Sequence, residues 1–350
     1  MELQILAMSE VLEEPLQKYY TSFVKKEPGE KGKKRTLQLM LEQLLEFIHS
    51  RDDLFENCFI QVGSIADGTK AEAVDELDVL IPLRKDKLRV TPNDPSLTTF
   101  SIDEYVNGGW RCLSHDETVS RLYHLVTEYK EKYYKDDPSF AVRKKTVIAA
   151  ALPLKIDWIK IDLVLCIKNP LQFSDMKWPF PKWLNGQSKW LTCQQQESVR
   201  QMGIDMTCHG ILWRPSFSRI DAYLIGVIDS KGGYRKKAFK ILKSLNGYDW
   251  TVDQLCENYQ GKSRPFLGSF MMKILYLLAR EKYPESHHWD TLGRSFCNFL
   301  DVLNQCCNEK RLDHYYQINN NLFERVANET FIWLQKKIRN ILENPEEELS

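Results

Sequence analysis

The stretch GSIADGTKAEAVDELDVLIPL, residues 63–83, places two carboxylates, Glu76 and Asp78, one residue apart at the entrance of an apolar run. Side chains alternate across a strand, so Glu76 and Asp78 project to one face while Leu77, Val79 and Ile81 project to the other. Asp75 has the wrong parity to join them. Two carboxylates on one strand face make a poor core but a good Mg2+ site, because hard divalent cations take carboxylate oxygens. A third ligand is expected from a neighbouring strand. In KIDWIKIDLVLCI, residues 155–167, Ile159, Ile161, Leu163 and Leu165 share one face and Asp162 lies on the opposite one. Asp157 has the apolar-facing parity and sits nearer the start, so Asp162 is the expected third carboxylate.

Gly63-Ser64 follows the short apolar run CFIQV. Glycine lets a phosphate approach the backbone, and a serine hydroxyl with nearby N–H groups can hold the terminal phosphates of a nucleotide. Two metals on three carboxylates stabilise the attacking and leaving oxygens of an in-line displacement, which is the chemistry of nucleotidyl transfer. A Gly-Ser turn or an acidic pair alone is a weak signal. The ordered combination is specific: a strand, Gly-Ser, eleven residues, Glu-x-Asp at a strand start, then an aspartate on a later apolar strand.

A chain of 350 residues with 43% hydrophobic and 27% charged residues can bury one large core or two packed lobes. Lys+Arg and Asp+Glu are equal at 48 each, so affinity for nucleic acid must come from a local patch. No run reaches the roughly 18 apolar residues of a membrane span, and the acidic N-terminal stretch lacks the basic region of a secretory signal. Nine scattered cysteines read as reduced thiols, which points to the cytoplasm, with the nucleus also open.

KKEPGEKGKKR, residues 25–35, reads as a linker, and Leu37, Leu41, Leu44 and Ile48 after it recur at helical spacing. KTVIAAA and KIDWIKIDLVLCI read as a hairpin-like pair; DPSLTTFSIDEYVNGG and KNPLQFSDMKWPFPKWLNG read as loop-rich. Beyond about residue 205 the apolar spacing turns helical. Ser218, three residues before Asp221, suggests a capping box, Gly247 a helix stop, and ENPEEELS a solvated tail. Strands in the first half and helices in the second give an α+β lobe joined to a helical lobe.

The acidic set resembles that of the polymerase-β-type nucleotidyltransferases. Within them the chain resembles the cGAS-like receptors of the cyclic GMP–AMP synthase and Mab family. LWRPSFSRID (212–221) resembles that family's Trp-Arg-x-Ser-Phe-Ser segment; AFKILKSL (238–245) and LGSFMMKILYLLA (267–279) resemble its lysine-bearing and base-stacking helices. The resemblance covers about residues 20–342. It implies a bilobed enzyme: a core with an N-terminal spine helix over residues 1–205, a twisted mixed sheet, and a helical lobe over 206–350. By position, Gly63 and Ser64 would hold a triphosphate, and Glu76, Asp78 and Asp162 would bind two Mg2+, with Mn2+ as a substitute. Asp162 would also help deprotonate a ribose hydroxyl. Arg214 would meet the nucleotide and Lys243 its phosphates, while Ser216 and Ser218 would touch a base edge or cap a helix. Phe270 stands where the family has a stacking tyrosine, keeping the ring face and losing the hydroxyl.

The implied reaction joins two nucleoside triphosphates, ATP, GTP or others, into a cyclic dinucleotide messenger of innate immunity, releasing pyrophosphate. The family also contains members that act as scaffolds without catalysis. Vertebrate cyclic GMP–AMP synthase grips double-stranded DNA through a His-Cys-Cys-Cys zinc insertion. The matching segment here, GVIDSKGGYRKKAFK, has neither His nor Cys, so no zinc is expected and double-stranded RNA becomes the expected activator. The basic groups available to it are Lys25, Lys26, Lys33, Lys34 and Arg35, then Lys236, Lys237 and Lys240, and a third set around Lys130–Lys145. Interleaved acids make each run equally readable as a solvated face.

Overall fold

The computed structural model describes residues 2–24, 30–71, 76–93, 99–142, 151–156, 159–176, 181–209, 212–230, 232–248 and 266–350. Two helices open the chain, α1 (Glu2–Tyr19) and α2 (Glu30–Arg51). Then come β1 (Ile60–Val62), the one-turn α3 (Gly63–Ala66), β2 (Glu76–Pro82), β3 (Leu88–Pro92), β4 (Phe100–Val106), β5 (Gly109–Cys112) and α4 (His115–Tyr133). The first half ends with β6 (Phe140–Val142), β7 (Ala151–Ile156), β8 (Ile159–Leu171) and α5 (Cys193–Met202). After β9 (Ile204–His209) and β10 (Leu212–Ser216) the chain is helical: α6 (Ser218–Asp229), α7 (Arg235–Tyr248), α8 (Ser269–Lys282), α9 (Leu292–Glu309), α10 (Asn328–Glu343) and α11 (Pro345–Glu348).

One sheet runs β1-β2-β8-β9-β10-β4-β3, with β5 on β4 and the β6–β7 pair on β8. The pairing at its centre decides the site. β2 and β8 are parallel and place Asp78 opposite Asp162; β1 is antiparallel to β2 and places Val62 opposite Asp78. Leu77, Val79 and Ile81 of β2 and Ile159, Ile161, Leu163 and Leu165 of β8 are buried in the main core, as strand alternation requires. On the opposite face Val62, Leu80 and Cys166 make a small separate apolar patch beneath the carboxylates.

Several sequence expectations are corrected. KIDWIKIDLVLCI is not one strand: Lys155 and Ile156 close β7 and β8 begins at Ile159, with Asp157 and most of KTVIAAA outside the described residues. Phe100–Val106, expected in a loop, is a strand whose Phe100 and Ile102 are buried. The helix after the linker starts early, at Glu30, because that highly charged stretch still contains good helix formers. The sheet continues to Ser216, so a boundary at 205–206 falls inside β9, and α1 packs along α9 of the helical half. The C-terminal residues are not a solvated tail, since Pro345 and Leu349 are buried.

Two expected helix ends also fail. The N-cap of α6 is Phe217, without a side-chain cap, because Asp221 is drawn inward to accept a hydrogen bond from the Tyr316 hydroxyl. Gly247 does not stop α7, which runs on to Tyr248.

Candidate active site

A cavity of about 520 Å3 lies between the β1–β2 end of the sheet and helices α6, α7 and α8. That volume suits a nucleotide-sized ligand. Gly63, Ser64, Glu76, Asp78, Ser216, Ser218, Lys243 and Phe270 all line it. Residues from sequence positions more than 200 apart thus meet around one space.

Gly63 shows how tightly the acidic strand and the loop fit. Its φ is +78°, a left-handed conformation that favours glycine, and a Cβ there would fall 2.0 Å from Asp78 Oδ2. The Asp78 carboxylate therefore rests against the Gly63 backbone. The loop closes through the Lys70 N–H, which donates to the Ser64 carbonyl at 2.9 Å.

Glu76 is exposed at the strand entrance, and Asp78 and Asp162 are half-buried on neighbouring strands. Burial, then the charge of Glu76, raises the pKa of Asp78, with Lys273 and Lys70 pulling the other way. Burial, Glu76 and Asp78 raise that of Asp162. Asp78 and Asp162, both raised by burial and then by neighbouring acids, on an all-oxygen surface fit a hard divalent cation in kind. Among the described residues, however, no three His, Cys, Asp or Glu side chains are gathered closely enough to hold a metal ion. Asp162 is not in the cavity wall; Val164, two residues along the same face of β8, is.

The opposite wall carries charge that sequence reasoning missed. Lys70 and Lys273 join Lys243 at the cavity, with Asp221, Asn246 and Ser269. Lys273 is nearly buried on α8, and its Nζ lies 2.8 Å from Asp67 Oδ2, whose side chain is fully buried. That oxygen has no aligned hydrogen bond, so the attraction is coulombic. Asp67 Oδ1 meanwhile accepts from the Thr69 N–H at 3.0 Å and the Thr69 hydroxyl at 2.5 Å. The loop after Ser64 is thus fastened to a helix of the second half of the chain. A lysine inside the apolar run FMMKILYLL was the available signal, since a buried lysine needs a partner.

Phe270 is 40% exposed at the cavity, with its ring 5.2 Å from that of His314. Burial pushes His314 down to about 4, so the imidazole is neutral near pH 7 and its Nδ1 accepts the N–H groups of Tyr316 and Gln317. Phe217 stacks on Tyr316 at 4.4 Å behind it.

Other predicted residues fall elsewhere. Arg214 is exposed on β10, opposite Thr207, and is not in the cavity wall. Lys236 is half-buried, with its Nζ 2.8 Å from where a Gly68 Cβ would stand. Lys237 donates to Gln17 and sits 4.6 Å from the Tyr20 ring, so it braces α7 on the N-terminal helix. Lys240 lies on α7; Lys33, Lys34 and Arg35 lie on α2, while Lys25, Lys26, Asp75 and Arg143–Lys145 are outside the described residues.

Residues 234–340 match the Mab-21 protein HhH/H2TH-like domain. The chain is 26% identical to Protein mab-21-like 3 of Danio rerio over 170 residues, 48% of this chain and 42% of that protein. It is 25% identical to the Xenopus laevis Protein mab-21-like 3 over 53% of this chain and 48% of that one. Similarity to the Cyclic GMP-AMP synthase of Mus musculus is lower, 22%, but covers 87% of this chain and 64% of the synthase. The chain is thus similar to mab-21-like proteins over about half its length and, more weakly, to a cyclic GMP-AMP synthase over most of it. The matches span less than half the length of the mab-21-like 3 relatives. Among the described residues no helix is long and apolar enough to cross a membrane.

Proposed function

We propose that the cavity binds a nucleoside triphosphate with divalent metal and transfers its nucleotidyl group to the ribose hydroxyl of a second nucleotide, closing a cyclic dinucleotide when double-stranded RNA engages the protein. The observation that carries this reading is the seating of the Asp78 carboxylate on the Gly63 backbone, at a nucleotide-sized cavity faced by lysines.

In this reading the backbone and hydroxyl of Ser64 orient the terminal phosphates, and Lys243 and Lys273 offset their charge. Phe270 offers its ring face to a base, held in place by neutral His314. Glu76 and Asp78 at the cavity, with Asp162 on the adjoining strand, would hold two Mg2+, which would supply stabilisation of the attacking and leaving oxygens. Asp162, its basicity raised by burial and then by its acidic neighbours, would take the proton of the ribose hydroxyl. The hydroxyl oxygen then bonds the α-phosphorus as the bond to pyrophosphate breaks.

A second reading is favoured by two observations, and the comparisons weigh toward it. The carboxylates are not gathered around a metal position, and the mab-21-like relatives are matched at higher identity than the synthase. In it the chain keeps the nucleotidyltransferase fold and acts as a scaffold without turnover. Incubating the protein with labelled nucleoside triphosphates and Mg2+ or Mn2+, alone, with double-stranded RNA and with double-stranded DNA, separates the two. A phosphatase-resistant product made only with RNA, and absent from Asp78→Asn, supports catalysis. Nucleotide binding without product under every condition supports the scaffold.

A further inference from the structure

Away from the cavity, two arginines and a tyrosine of the helical half are buried without adequate partners. Arg235 opens α7, and Tyr276 and Arg280 lie one turn apart on α8; they are 2%, 1% and 4% exposed. Nε and Nη2 of Arg235, Nε of Arg280 and the Tyr276 hydroxyl have no hydrogen-bond partner. Neither guanidinium makes an ion pair among the described residues. What each does touch is backbone carbonyl or an aromatic ring: Arg235 donates to Gly232, and Arg280 to Tyr283 at 3.0 Å and to Pro284.

The three side chains are neighbours, the charges of both arginines acting on the Tyr276 hydroxyl. The Arg235 guanidinium lies 5.3 Å from the centre of the Trp289 ring. Trp289 Nε1 donates at 2.8 Å to the same Tyr283 carbonyl that Arg280 uses, which brings the second guanidinium to the same indole. Trp289 and Tyr276 in turn both pack on Phe299, at 5.3 Å and 5.5 Å. Burial, together with the charge of Arg235, lowers Arg280 to about 10 against the opposing pull of Glu281 and Glu285, so it is charged at neutral pH; burial lowers Arg235 as well. Two like charges sealed under rings, with three guanidinium nitrogens and a hydroxyl unused, are strongly unfavourable unless a counter-charge is present. Carbonyl dipoles, ring faces and the more distant Glu281 and Glu285, neither of which forms an ion pair with Arg280, supply only part of it.

We infer that Arg235, Arg280 and Tyr276 form a buried site for a compact inorganic anion, of halide or tetrahedral oxyanion type, that holds α7 and α8 together. The unused donors match what such an ion needs: several N–H groups and one O–H with no competing acceptor. Phe239 and Phe299 pack on Tyr276, and Trp289 on Phe299, so the surroundings are aromatic and suit a small ion. The site is separate from Gly63, Asp78 and the nucleotide-sized cavity, so it stands whether or not the protein is a catalyst.

The decisive experiment is a crystal structure of the full chain grown in sodium bromide, with data at the bromine edge, and a parallel crystal grown in phosphate. An anomalous peak within hydrogen-bonding distance of the Arg235 and Arg280 nitrogens, or tetrahedral density there in phosphate, is the expected result and identifies the anion class. Water or empty space in both crystals overturns the inference. Thermal unfolding of the full chain at constant ionic strength gives a second readout. The midpoint should rise with chloride or phosphate relative to a bulky organic anion, and Arg280→Met should remove that dependence. A midpoint equally sensitive in Arg280→Met, or insensitive in the wild type, counts against the site.

Discussion

Gly63 and Asp78 pack closely at the candidate site, leaving no room for a Cβ, and they carry the first prediction. Gly63→Ala must either push the carboxylate away or shift the loop, and it places a side chain in a left-handed conformation. The backbone strain alone is worth about 1–3 kcal/mol. The variant should fold, melt earlier, and bind nucleotide at least about tenfold more weakly; unchanged affinity by calorimetry contradicts the role given to Gly63. Asp221 carries the second. It is fully buried at the cavity, and burial raises its carboxyl to about 6 despite Lys273 and the Tyr316 hydroxyl. A raised acid favours the folded state while protonated, so this stability is present below the unfolded value near 4 and lost as pH climbs through 6. The loss is on the order of 2–3 kcal/mol. Urea unfolding of Asp221→Asn should therefore vary less between pH 4 and 7 than the wild type. The acids at 76, 78 and 162 were legible because strand parity sorts them from their apolar neighbours. Asp221 and Lys273 were hidden because their partners, Tyr316 and Asp67, are about 95 and 206 positions distant.

At the scale of elements, α8 grips the loop after α3 through Lys273 and Asp67, and α7 covers Gly68 with Lys236. Removing one member of a buried ion pair typically costs about 3–5 kcal/mol, because the other charge is stranded. Lys273→Met should be destabilised by that order in chemical unfolding, with faster hydrogen exchange over residues 63–71. Exchange unchanged in that loop contradicts the fastening. Strands β2 and β8 were readable as apolar runs with alternating acids. β4 was not: its polar Ser101, Asp103 and Tyr105 hide the buried Phe100, Ile102 and Glu104 that pack inward. The expected cap at Ser218 failed for a different reason, since Asp221 gains more from Tyr316 inside the core than from a helix end.

For the molecule as a whole, α+β followed by helical was visible in the order of periodicities, but the join was not. α1 lies along α9, and the sheet reaches Ser216, so the two halves are interleaved at the N-terminus and in mid-chain. Zero net charge leaves nucleic-acid binding to local surfaces, and two of the α7 lysines offered for it, Lys236 and Lys237, are engaged within the fold. The proposed metal-dependent nucleotide site rests on Asp78 against Gly63 at a cavity faced by lysines. Calorimetric titration of a non-hydrolysable nucleoside triphosphate into the full chain, with Mg2+ and with chelator, for wild type and Asp78→Asn, addresses it most directly. Binding that needs Mg2+ and is lost in Asp78→Asn is the predicted result. No binding, or binding indifferent to both the metal and Asp78, contradicts it.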